Sequence, residues 1–80
     1  MRIILATPEK TILDEIADES QSIKSVTLTY AFIIRDHLGT DKIDFAKINK
    51  AIRLRWGMDT LIKIKEDAWK MVEEQQYERL

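Results

Sequence analysis

Between Ser22 and Leu38 the chain reads SIKSVTLTYAFIIRDHL, a density of apolar side chains greater than one buried helix face can use. As a helix, Ile23, Val26, Tyr30, Ile33, Ile34 and Leu38 recur at three- and four-residue steps on one stripe, and Leu28 and Phe32 pair four apart on the opposite side. A helix that is apolar nearly all round is enclosed, either by its own domain or by a partner. The same segment also alternates at period two through Val26, Leu28, Tyr30, Phe32 and Ile34, with the β-branched and aromatic content of a strand. Its length, and Gly39 as a terminator, predict a helix from Ser20 or Ser22 to Leu38. The strand alternative would pair it with Met1 to Ala6.

Three further helices follow from local signals. Thr7-Pro8-Glu9 combines a capping hydroxyl, a proline at the first helical position and an acid in the first turn, which predicts a helix from Pro8 to Glu19. Its apolar side is Ile12, Leu13, Ile16 and Ala17. Asp44 can cap the third helix, Ile43 and Ile48 have the spacing of a hydrophobic staple, and Gly57 closes the helix after Trp56. At 100° per residue, Phe45, Ile48, Ile52 and Trp56 fall within roughly an 80° arc, the expected core face. Met58-Asp59-Thr60 then opens a fourth helix that runs toward Leu80, with Leu61, Ile64, Ala68, Met71 and Val72 as its main stripe and Ile62 and Trp69 to one side.

These elements predict an all-α fold, a compact four-helix orthogonal or up-down bundle in one small domain spanning residues 1–80, with Met1 to Ala6 as a short extended N-terminal arm. The alternative is a winged-helix-like α+β fold, which requires Thr60 to Lys65 to form a strand after a Gly57-Met58-Asp59 turn. The initiating methionine and the unbroken succession of elements predict a complete small protein.

Composition narrows the classes. Two glycines and one proline in 80 residues, with 45% hydrophobic and 34% charged side chains, exclude a low-complexity or disordered chain. The absence of cysteine excludes a disulfide framework or a thiolate zinc site. The longest apolar runs, Ile3 to Ala6 and Ala31 to Ile34, are far too short to span a bilayer, and the N-terminus has no signal-peptide pattern. A cytoplasmic or otherwise intracellular protein with no membrane partner is the expectation.

The net charge of −1 conceals blocks of opposite sign. Glu9, Asp14, Glu15, Asp18 and Glu19 outweigh Arg2 and Lys10 in the first 20 residues, whereas Lys42, Lys47, Lys50, Arg53, Arg55, Lys63 and Lys65 outweigh Asp41, Asp44 and Asp59 between residues 40 and 65. The tail beyond residue 65 is acidic again. A local basic patch on a mildly acidic protein is thus expected, with attraction between the basic and acidic helices as the plainer consequence.

Catalytic signatures are lacking. His37 is the only histidine and stands at the expected end of the second helix, where an imidazolium interacts well with terminal carbonyls. Ser20, Ser22 and Ser25 have no activating partner motif, neither glycine lies in a phosphate-cradling pattern, and no metal-ligand spacing occurs. The expectation is a protein that is not an enzyme, takes no cofactor or metal, and has no evident small-molecule substrate.

Two binding surfaces remain. Leu28, Phe32, Leu54, Ile62 and Trp69 lie off the main core stripes, and a domain this small cannot bury them all, so they are the candidates for a protein interface or homodimer contact. Lys47, Asn49, Lys50 and Arg53 on the outer face of the third helix, extended by Lys63 and Lys65, are the candidates for nucleic-acid contact, with Asn49 able to pair bidentately with adenine. The leading expectation is a small helical protein–protein interaction or dimerisation module with a regulatory or adaptor role, binding through the second helix and neighbouring Trp69 or Leu54. The alternative is a helix-turn-helix-like nucleic-acid-binding regulator, although the Gly39-Thr40-Asp41-Lys42 connection is long for that motif.

Overall fold

A computed structural model of the chain describes residues 7–37 and 43–74, and within them four helices follow one another: α1 (Pro8–Ala17), α2 (Ile23–His37), α3 (Phe45–Trp56) and α4 (Met58–Glu74). The fold is an all-α bundle with no strand among the described residues. Thr60 to Lys65 lies inside α4, which removes the winged-helix alternative, and the period-two reading of residues 26–34 gives way to a helix. The expected extended arm at Met1 to Ala6, the Gly39 terminator and the end of α4 near Leu80 lie outside the described residues.

Helix starts form where side-chain oxygens meet otherwise unpaired amides. Thr7 Oγ1 accepts the Lys10 backbone N–H at 3.1 Å, and Pro8 occupies the first turn, where its missing N–H costs nothing. Ser22 Oγ accepts the Ser25 N–H at 3.1 Å ahead of α2, and Asp44 Oδ1 accepts the Lys47 N–H at 3.2 Å ahead of α3. Glu9 adds a long-range tie, because its carboxylate accepts the Asp44 N–H at 2.8 Å and so fixes the start of α3 against the start of α1.

α1 ends at Ala17, two residues short of the expected Glu19, for a local reason. The Asp18 carboxylate accepts both the Ser20 N–H at 2.9 Å and the Ser20 hydroxyl at 2.7 Å, a turn that competes with continued helix. Ala17, expected on the apolar side, is consequently exposed at the last turn.

α2 packs on α1 and α4, and α3 also packs on α1 and α4, so the four helices close a ring around a shared interior. Val26, Thr27, Tyr30, Ala31, Ile33 and Ile34 of α2 are all buried, and only the helical period brings these six to one side. They meet Ile12 and Ile16 of α1, Ile48 and Ile52 of α3, and Leu61, Ile64 and Ala68 of α4. Isoleucine dominates this core. Its single preferred helical rotamer keeps the ordering cost of each buried side chain low while burial contributes about 1.5 to 3 kcal/mol. Ile23, expected on the α2 stripe, stands at the helix start, where it borders Lys63 and Met71 of α4 and is left 39% exposed.

Gly57 is the only described residue between α3 and α4, and it serves both. Its N–H donates to the Arg53 carbonyl at 2.8 Å, its own carbonyl accepts the Leu61 N–H at 3.1 Å, and its φ of +96° lies where L side chains are rarely found. A Cβ built there meets nothing within 4 Å, so the restriction comes from the backbone and not from packing. Gly57→Ala is therefore expected to lower the unfolding free energy by about 1 to 3 kcal/mol, read from urea denaturation followed by far-UV circular dichroism. A neutral result would show that the link relaxes freely.

Candidate functional site

α4 carries two stripes. Leu61, Ile64 and Ala68 turn into the core, and Met58, Ile62 and Trp69 lie about 100° round the axis, aligned within a narrow arc and respectively 48%, 47% and 39% exposed. The spacing of this outer stripe, Met58, Ile62, Lys65, Trp69 and half-buried Val72, alternates four and three residues, the repeat of a seam between two helices. Ile62, Lys65, Glu66, Trp69, Lys70 and Glu73 line an open groove of about 470 Å³ along it. On the other flank of Trp69 a smaller groove of about 180 Å³ runs beneath Lys65 to Tyr30 and Ile34 of α2 and Phe45 and Asn49 of α3. Trp69 thus divides two depressions, with its ring edge half in solvent.

The five interface candidates do not gather in one place. Ile62 and Trp69 share the groove on α4. Leu54, 74% exposed, stands on the outer face of α3 between Lys47 and Lys50. Leu28 and Phe32 are half-buried on the outer side of α2, where Phe32 packs under the Arg35 guanidinium, 4.9 Å from the ring centroid, and borders Pro8 and Thr11 of α1. The excess apolar content of α2 is largely absorbed inside the domain. The accessible apolar line lies on α4. Met58 was not among the candidates, although the 58–62–65–69–72 spacing carries the signal that would have found it.

The basic candidates also separate. Lys47, Lys50 and Arg53 are exposed on the outer face of α3, with no carboxylate in ion-pair contact among the described residues. Lys63 approaches Asp67 at 3.9 Å beside Ile23, Lys24 and Thr27, and Lys65 belongs to the Trp69 grooves. Asn49 is half-buried, and its Oδ1 accepts the Tyr30 hydroxyl at 2.6 Å, so one of the two atoms that adenine recognition needs is already engaged.

No family model matches the chain, and no curated protein or solved structure matches it either. Geometry alone bears on function.

Perturbed titrations have local structural causes. The hydrogen bonds from Ser20 hold the Asp18 carboxyl below its ordinary range, and the Arg35 guanidinium does the same for Asp36. Among the described residues no three histidine, cysteine or carboxylate side chains converge to hold a metal ion. No described helix is long and apolar enough to cross a membrane.

Tyr30 is a buried titrating group whose hydrogen-bond partner lies on another helix. Burial pushes its phenol upward, opposed by the bond to Asn49. The folded chain then holds the phenolic proton beyond the pH at which the unfolded chain releases it, so the contribution is complete below about pH 10 and is lost as the pH climbs toward the folded value. Tyr30→Phe is expected to cost about 1 kcal/mol at neutral pH by leaving Asn49 without its donor. The same variant is expected to flatten the fall in unfolding temperature between pH 9 and 11, measured by calorimetry on both chains.

Proposed function

We propose that the protein is a small association module that docks an amphipathic helix of a protein partner along the outer stripe of α4, in a regulatory or adaptor role. The alignment of Met58, Ile62 and Trp69 on one exposed line supports this reading most directly. The occupant it suits is a helix with an apolar seam flanked by charges of both signs, because Lys65 and Lys70 alternate with Glu66 and Glu73 around the groove. Aromatic side chains with a half-accessible ring are effective anchors, since they add large contact area at little rotamer cost. Each of the three apolar side chains has roughly half its surface left to bury, about 1 kcal/mol apiece, which by itself does not offset the association entropy, so the contact is weak and reversible and draws the rest of its strength from the partner's own anchors.

Lys47, Lys50 and Arg53, exposed on α3 with no ion pair among the described residues, favour a second reading, nucleic-acid contact through phosphates. One experiment separates the two. A partner captured by the wild-type chain is purified, and its binding is measured by calorimetry against Ile62→Glu/Trp69→Glu and Lys50→Glu/Arg53→Glu, alongside anisotropy of random-sequence duplex DNA. The docking reading expects at least a tenfold loss of partner affinity in the first variant and none in the second. DNA binding that falls steeply with salt and vanishes only in the second variant would overturn it.

A further inference from the structure

α3 carries Lys47, Lys50, Arg53 and Arg55 and no acid. The Arg55 guanidinium lies over the Trp56 ring, 4.8 Å from its centroid, whereas Lys47, Lys50 and Arg53 make no ion pair among the described residues. Those three share an outer arc of about 120° with Ala46 and Leu54, and all five residues are exposed. The arrangement costs the helix. Like charges three residues apart are neighbours and repel, and Lys47 stands in the first turn, where the helix dipole disfavours a cation and no acid offsets it. Leu54, at 74% the most exposed large apolar side chain among the described residues, falls about 20° from Lys47 and about 40° from Lys50 around the axis. Neither the repulsion nor the exposed leucine serves the bundle, and one kind of occupant relieves both.

We infer that the outer face of α3 is a second docking surface, and that its occupant is a short acidic protein segment with an apolar side chain set among its carboxylates. The carboxylates face Lys47, Lys50 and Arg53, and the apolar side chain lies on Leu54. Ala46, one turn from Lys50, leaves room for the segment to come close. From Ala46 to Leu54 the face is about 12 Å long, the length of about eight residues of a helix or four of an extended chain. A nucleic-acid backbone meets only half of this description. Phosphates would neutralise the three cations but would set Leu54 against charged oxygens, and Asn49, the amide suited to reading a base, already accepts the Tyr30 hydroxyl at 2.6 Å. Charge brings either polyanion to the face, and the leucine selects the one that carries an apolar group. This surface goes beyond the docking stripe on α4 and does not rest on it.

Fluorescence anisotropy at 150 mM salt, where long-range charge attraction is largely screened, provides the test. Two labelled twelve-residue peptides serve as probes, one with glutamates around a central leucine–phenylalanine pair and one with serines in place of that pair, alongside a 20-base-pair duplex of random sequence. The wild-type chain is expected to bind the first peptide at least fivefold more tightly than the second. Leu54→Ala is expected to abolish that preference while leaving the affinity for the second peptide unchanged. Lys50→Glu/Arg53→Glu is expected to weaken binding of the first peptide at least tenfold, and Lys47→Gln/Lys50→Gln, which removes charge without reversing it, to weaken it at least threefold. All these positions are exposed, and circular dichroism confirms that each variant is folded. Ile62→Ala/Trp69→Ala is expected to bind both peptides as the wild type does, so the two surfaces stand or fall separately. A chain that binds neither peptide at 1 mM, binds both equally, or binds the duplex more tightly than the first peptide with no response to Leu54→Ala, overturns the inference and leaves the α4 docking reading to its own test.

Discussion

Enclosure of α2 between α1 and α4 governs everything else in this molecule. Its most apolar segment presents six buried residues to the ring of helices, and a small domain has no second interior to offer. Once α2 has taken the central position, α4 must give one stripe, Leu61, Ile64 and Ala68, to it and to α3. Any further apolar residues on α4 are left facing outward. The exposed line at Met58, Ile62 and Trp69 is in this sense what remains after the core is filled, and it remains as a line because its members share the helical spacing.

Two polar devices set how the helices meet around that core. Glu9 reaches from the first turn of α1 to the amide of Asp44, which positions the start of α3. Tyr30 projects from α2 to α3, where its ring tilts against Phe45 at 5.9 Å and its hydroxyl donates to Asn49. A buried phenol requires a hydrogen-bond partner, and meeting that need with a residue of another helix fixes the angle between the two more tightly than apolar contact alone. The small groove beside Trp69 borders this same pair, so the exposed apolar line of α4 adjoins the polar tie between α2 and α3.

The architecture was largely legible in the residues because helix boundaries depend on short-range chemistry. Thr7-Pro8, Ser22, Asp44 and Gly57 act through amides within four positions of themselves, and each does in the structure what its type and place imply. α1 was read too long because Asp18 can satisfy either a helix or a turn, and the competing bond to Ser20 is equally local but weaker as a sequence signal. Which apolar residue stays outside is a different kind of question. Leu28 and Phe32 looked surplus on a helical wheel, yet they are half-buried, whereas Ile23 looked internal and is left partly exposed at the edge of the bundle. Those outcomes depend on tertiary neighbours that no local spacing encodes. The tie between Asn49 and Tyr30 was hidden for the same cause, since the hydroxyl that Asn49 accepts lies nineteen residues away.

The contrast between α3 and α4 bears on how the two outer faces would act. Lys47, Lys50 and Arg53 share one sign, and their attraction for a partner is long-ranged, weakly directional and reduced by salt. The α4 face joins an apolar line to charges of both signs in fixed order, so its attraction is short-ranged and depends on register. A partner must present the reverse order to fit. A like-charged patch such as that on α3 attracts acidic surfaces in general without specifying how they bind. The two faces thus differ in kind: one is a field of like charge, the other a narrow apolar line at Met58, Ile62 and Trp69 bordered by Lys65, Glu66, Lys70 and Glu73.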